Sequence, residues 1–184
     1  MREKILTQSE LNLIQSKLIS LDHKRFFAIA QYTGQKIKTI CNLKVSDLYN
    51  KDGSLMGYIN FSGDKYITHS FPIYNPLKND LLIYAPENFI YDAWLFPSST
   101  NYGKPIVFST VDKWLRTGAK KAELEHLNVS TKMIRDAFIC ELHASGMSNA
   151  HIKKILGIVT IPEIINRTSR KPVDFRGILD NIFG

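Results

Sequence analysis

The stretch TGQKIKTICNLKVSDL, residues 33–48, decides how this chain is read. Gly34 is a natural helix stop, because a residue without a Cβ enters the left-handed conformation at little steric cost. The large apolar residues before it, Phe26, Phe27 and Ile29, predict a helix over about 22–33, and a short helix is expected after it over roughly 36–42. Two helices therefore meet at a glycine with Lys36 and Lys38 just beyond it. The plain reading of those lysines is a solvated helix end; the functional one is a corner that presents positive charge.

Working outward, helices dominate both ends. TQSE at 7–10 is a capping box, in which Thr7 accepts from the backbone N–H of Glu10 while Glu10 reaches back, and Leu11, Ile14 and Leu18 follow at helical spacing, so the first helix is expected over 8–19. The middle changes period. LMGYINFSGDKYITHSFPIY, residues 55–74, alternates large side chains on both sides of Gly63-Asp64, a hairpin signal, and Lys51-Asp52-Gly53 marks a turn before it. Three short strands are expected between 45 and 74, then a loop rich in Pro, Asn and Ser over about 75–104. Helical spacing returns with Val111, Trp114, Leu115, Ala119 and Ala122. Ser130 or Thr131 caps the next helix, which buries Ile134, Ala137, Phe138 and Leu142 before Gly146, and Ser148 caps another running through Ile152, Ile155 and Leu156 to Gly157. Pro162 suits the first turn of a last segment. The expected fold class is α+β, mainly α, with a small three-stranded antiparallel sheet.

Composition bounds the function. The 184 residues, 44% hydrophobic and 22% charged, suit one domain over 1–184 with a sizeable core. No basic-then-apolar leader and no apolar run near the ~20 residues that span a bilayer is visible, so a soluble cytoplasmic protein without a membrane partner is expected. Cys41 and Cys140 lie in apolar surroundings without metal-ligand spacing and read as reduced core cysteines; neither metal nor cofactor is indicated. The net charge of +7 sits at the two ends: residues 1–50 carry 8 Lys and Arg against 4 Asp and Glu, residues 51–111 carry 4 against 5, and residues 112–184 carry 12 against 8. Such a balance suggests a polyanionic partner.

Three segments, in order, resemble the catalytic domain of the tyrosine recombinase (phage integrase) family. LTQSELNLI resembles its first helix, and TGQKIKTICNLKVSDL resembles its TGxRxSExxxLxxxDI box. LFPSSTNYGKPIVFSTVDKWLRTGAKKAEL followed by VSTKMIRDAFICELHASGMSNAHIKKILG resembles the approach to, and the body of, its HxxR…LGH region. The resemblance covers 6–167 and implies a recombinase-like helical domain, with 168–184 as a tail that packs on its own domain or on a neighbouring protomer as a homo-oligomer. It also implies double-stranded DNA as partner. The helical core-binding domain that usually precedes this one in full recombinases is not seen ahead of it.

The family transfers a DNA phosphodiester to a tyrosine, using an Arg-Lys-His-Arg-His/Trp cluster to stabilise the phosphate and move protons. Matched residue by residue, this chain departs from that cluster. Lys36 stands at the first arginine and keeps the charge but not the planar grip. The hairpin lysine falls on Ser62 or Lys65, Lys132 replaces the first histidine, Arg135 is retained, Ile158 replaces the second histidine, and the nucleophile falls on Asn166 or Arg167. All eight tyrosines precede residue 103, so no small register shift restores it; Thr168 and Ser169 are the hydroxyls nearby. A pocket with its cations kept and its nucleophile gone implies DNA binding without cleavage, in a regulatory or architectural role in a mobile element. The DNA contacts expected are Lys36, Lys65, Lys132, Arg135, Lys153 and Lys154, with Lys132 in a first helical turn where the macrodipole favours an anion. The alternatives are a protein-interaction module on the same fold, or a strand-transfer enzyme with a displaced nucleophile such as Tyr102 or Ser169. Plainer readings stand beside these: Lys132 and Asp136, one turn apart, can neutralise each other, His143 and His151 sit on polar helix faces, and Trp94 and Trp114 anchor core and loop.

Overall fold

A computed structural model describes residues 4–62, 68–157 and 175–183. Helix α1 (Gln8–Lys17) begins at the expected capping box: the Glu10 N–H donates to Thr7 Oγ1 at 3.2 Å and the Thr7 N–H donates to the Glu10 carboxylate at 2.9 Å. Helix α2 (Leu21–Thr33) is capped by Ser20 and runs through the middle of the molecule, with Phe26, Phe27, Ala28, Ile29 and Ala30 all buried. Its start is tied down by Arg25, which is 1% exposed; Nη1 meets Asp22 at 2.9 Å and Nε donates to the Tyr84 carbonyl. It stops at Gly34, φ +58°, and α3 (Ile37–Cys41) follows.

Strands β1 (Tyr58–Ser62) and β2 (Thr68–Pro72) pair antiparallel, with Ile59 opposite Phe71 and Phe61 opposite His69. Ile59, Phe61 and Phe71 are buried while Tyr58 and Ser62 are exposed, the alternation of a sheet with one wet face. The described sheet has two strands where three were expected. The missing one, between 45 and 57, is reduced to a 3-10 turn, Val45–Asp47, and a single bridge between Tyr49 and Leu55. Gly53 at φ +82° and the Asp52 carboxylate, which accepts from the Ser54 N–H at 2.9 Å, curl the chain back before a ladder can grow. The Gly63-Asp64 turn lies outside the described residues.

The segment expected as loop from 75 to 104 begins with a helix, α4 (Asn75–Ile83), whose Leu77 and Leu81 are buried and which packs on α2. Asn-Pro reads as a turn, but proline is equally at home in a first helical turn, where its missing N–H costs nothing. Helices α5 (Phe108–Lys121), α6 (Thr131–Ala144) and α7 (Asn149–Ile155) fall where their apolar spacing put them, with Ser130 and Ser148 capping the last two. Cys41 is buried as expected, but Cys140 is exposed: on α6 it lies outside the inward face made by Ile134, Ala137, Phe138 and Leu142.

The tail is a helix, α8 (Phe175–Phe183), and it lies on its own chain. Leu179 is fully buried, Asp180 accepts from the Asn75 N–H at 2.6 Å at the start of α4, and Arg176 donates to the Gly57 carbonyl at 2.7 Å. The Phe183 ring stacks on Phe138 of α6, 5.5 Å between centroids and 6° from parallel. Burying a side chain of this size contributes about 1.5–3 kcal/mol. The segment around Pro162 is not among the described residues. No described helix is long and apolar enough to cross a membrane.

Candidate nucleic-acid interface

The corner at 33–36 is built by short-range bonds. Thr33 Oγ1 donates to the Ile29 carbonyl at 2.6 Å and accepts from the Gln35 N–H at 3.3 Å, while the Gly34 N–H closes α2 on the Ala30 carbonyl at 3.2 Å. The left-handed turn then throws Lys36 outward as N-cap of α3, with its side chain exposed. A helix end leaves its last carbonyls without helical partners. Here the Gly34 carbonyl is taken by Arg135, whose Nε donates to it at 2.8 Å across 101 residues of sequence. The half-buried Arg135 is thereby fixed beside the residue that leads into Lys36.

This contact requires a glycine. A Cβ on Gly34 would run into the ring of Phe138, one turn along α6 from Arg135, and would stand 3.1 Å from Cδ2 of Leu156 at the end of α7. The corner thus meets α6 and α7 at one point. Lys132, also on α6, is exposed and its Nζ lies 3.5 Å from Asp136, so the expected pairing of these two exists. An exposed pair of this kind contributes a few tenths of a kcal/mol, roughly. Lys153 and Lys154 are exposed in the last turn of α7, and Leu156 and Gly157 follow them towards the corner.

Among the expected contacts, then, Lys36, Arg135 and the end of α7 gather around Gly34, and Lys132 shares a helix with Arg135. Ser62 is exposed at the end of β1. Lys65, Ile158, Asn166, Arg167, Thr168 and Ser169 lie outside the described residues. Tyr102, the last tyrosine in the chain, is fully exposed in the turn between Pro97 and Pro105. Trp94 anchors that turn by donating from Nε1 to the Gly103 carbonyl at 3.0 Å, and Trp114 packs edge-on against Phe26.

One residue at this corner was not singled out from sequence. His69 of β2 is half-buried, and its Nε2 lies 2.5 Å from the Ile155 carbonyl oxygen. A Cβ on Gly157, φ +63°, would stand 2.6 Å from Cγ of that ring and 2.8 Å from Cδ2. Burial holds the imidazole pKa below its usual value, with the Ile155 carbonyl pulling the other way. The only sequence signal was its place on a strand opposite Phe61, which says nothing about α7.

Chemically, the arrangement is an open, cationic surface with fixed donors rather than an enclosed cavity. It suits an extended anion better than a small molecule. Residues 4–166 match the model of the phage integrase family. Among solved structures, the chain is similar to XerA recombinase, with a TM-score of 0.70 and 19% identity over 94% of this chain and 67% of that one. It is also similar to XerH site-specific recombinase bound to its difH substrate, with a TM-score of 0.65 and 16% identity over 85% and 47%. A lambda integrase dimer bound to a COC' core site gives 0.61 and 16% over 95% and 63%. The chain spans about half to two-thirds of the length of these structures. No curated protein sequence matches it significantly.

Proposed function

The chain belongs to the phage integrase family, and from that premise we propose that it binds duplex DNA through the cations around Gly34 without cutting it, in a regulatory or architectural role in a mobile element. The observation that carries this reading is a contrast. Arg135 is held on the Gly34 carbonyl beside Lys36, while the last 82 residues of the chain contain no tyrosine. A backbone phosphate needs only fixed positive charge and N–H donors, which Lys36, Lys132 and Arg135 supply; Lys65, Lys153 and Lys154 extend the contact along the duplex. Transfer of a phosphodiester to protein needs a nucleophile, and asparagine and arginine at 166 and 167 are not one.

XerH and lambda integrase are DNA complexes, and lambda integrase is a dimer in one structure and a tetramer on a Holliday junction in another. Assembly of several copies on DNA is part of the same proposal. If α8 is the element exchanged, it must first leave its seat on Phe138 and Asn75.

The test is fluorescence anisotropy with several unrelated duplexes. Affinity is expected to fall steeply as salt is raised from about 50 to about 200 mM, as phosphate contacts displace condensed counterions. No binding at the low end overturns the reading. A nicked suicide duplex checks the second half: a covalent protein–DNA adduct means that a displaced nucleophile is at work.

A further inference from the structure

Neither sequence position matched to a family histidine holds one, since 132 is lysine and 158 is isoleucine. The folded chain nevertheless brings a histidine from another element to the residue next to 158. The Cγ–Cδ2 edge of His69 lies against Gly157, and its Nε2 is committed to the Ile155 carbonyl. A carbonyl oxygen only accepts, so Nε2 carries the proton of the neutral ring and Nδ1 is left as a bare acceptor. Nδ1 is on the edge away from Gly157 and bonds to no described residue. The path from this ring to the candidate pocket is continuous: Gly157 follows Leu156, Leu156 abuts Gly34, and the Gly34 carbonyl holds Arg135.

We infer that His69 is the proton-binding member of this pocket, supplied by β2: when a DNA phosphate is bound, Nδ1 takes up one proton from solvent and donates it as a hydrogen bond to a phosphate oxygen. No bond in the DNA or the protein breaks, and the proton is exchanged with buffer. The inference rests on the DNA-binding reading above.

The elements packed about the ring carry these titratable and charged groups. α7 carries His151, Lys153 and Lys154. α6, which meets β2 through Phe71 and Phe138, carries Lys132, Arg135 and Asp136, the last of these 3.5 Å from Lys132. On β1 the facing residues Asn60, Phe61 and Ser62 are uncharged. Burial opposes a charge on the ring of the free protein, with the Ile155 carbonyl pulling the other way. An arriving phosphate adds a negative charge that favours the protonated ring, and it accepts the hydrogen bond from the proton it induces. DNA affinity therefore rises as pH falls, by at most about tenfold per pH unit for one linked proton, between the pKa of the bound state and that of the free protein.

The experiment is DNA affinity at fixed salt over about pH 5.5–7.5, spanning the ordinary imidazole range, for the wild type, His69→Gln and His151→Gln, with melting curves on the same samples. Glutamine places an amide N–H where Nε2 stood but does not titrate. The expected result is that His69→Gln melts within a few degrees of wild type (about 1 kcal/mol or less), yet binds with a flat pH profile, while His151→Gln keeps the slope. A folded His69→Gln that retains the wild-type slope overturns the inference, as does a wild type that binds with no slope. A wild type that binds no duplex at any pH removes the DNA reading and this inference together.

Discussion

Two glycines let pairs of helices close on each other in this protein, and they do different things. Gly118 sits inside α5, where a Cβ would stand 2.8 Å from Leu18 Cδ2 and 3.4 Å from Ile14 Cγ2; its carbonyl is used up within the chain's own turn, accepting from Ala122 at 2.9 Å. Gly34 sits at the end of α2, closer to Phe138 than to Leu156, but the carbonyl there has no helical partner and Arg135 takes it. A glycine within a helix gives proximity alone. A glycine that ends one gives proximity and an orphan acceptor, around which a cation can be fixed.

The comparison is sharpened most by Gly34→Ala. A Cβ in the left-handed region costs about 1–2 kcal/mol and overpacking the Phe138 contact about 1–3 more, so a loss of several kcal/mol and a melting point lower by 10 °C or more, roughly, is expected in thermal unfolding. Next comes Arg135→Ala. The folded variant should lose about 1–3 kcal/mol of DNA affinity, because a charged hydrogen-bond donor is removed. If it only melts earlier and binds DNA as before, Arg135 is an internal brace and the two glycines are equivalent after all. Lys36→Ala and Lys132→Ala should each cost less than that and flatten the salt dependence by about one phosphate; Asp136→Asn, which frees Lys132 from its pair, should tighten binding.

Gly118→Ala tests the other side of the comparison. Alanine gains about 1 kcal/mol of helix propensity over glycine, and the contact it crowds is the far end of a leucine, which can yield. Net stability should change by about 1 kcal/mol or less, with DNA affinity untouched. A marked loss of binding there would mean that the α1–α5 seam also shapes the interface. The smallest effect is that of pH on the free protein. Burial lowers the pKa of His69, and that of His23 stacked on Trp114 at 3.9 Å. The unfolded chain then binds more protons than the folded one below about pH 6.5, so stability is full above that value and is lost as pH falls through it. Melting without DNA should therefore drop between about pH 7.5 and 5.5, the reverse of the trend expected for DNA affinity.

What could be read beforehand was what is decided within one turn of chain. The Thr7 capping box, the Ser130 and Ser148 caps and the Gly34 stop depend on residues three or four apart, and each is where its spacing put it. α4 was misread because Asn-Pro has two outcomes and packing chooses between them, and the third strand because the expected turn at 51–53 closes before a ladder can grow. Leu77 and Leu81 make 75–83 a helix only because α2 offers them a surface. Cys140 was misplaced by apolar neighbours that face the other way. For the site, the bond from Arg135 to Gly34 spans 101 residues and was foreseen only as far as the family resemblance carried it. His69, whose partner Ile155 lies 86 residues away, was not legible at all.

Phe138 lies where three other elements meet α6. One face of its surroundings is Gly34, where the cations gather; another is Phe183 of α8, stacked 5.5 Å away; a third is Phe71, two residues along β2 from His69. A single ring is therefore shared by the tail and the Gly34 corner. Whatever free energy separates DNA affinity with the tail seated from that with the tail released must, by thermodynamic reciprocity, appear undiminished as a change in how firmly the tail sits when DNA is bound. The ring that would carry such a coupling is itself buried, 2% exposed.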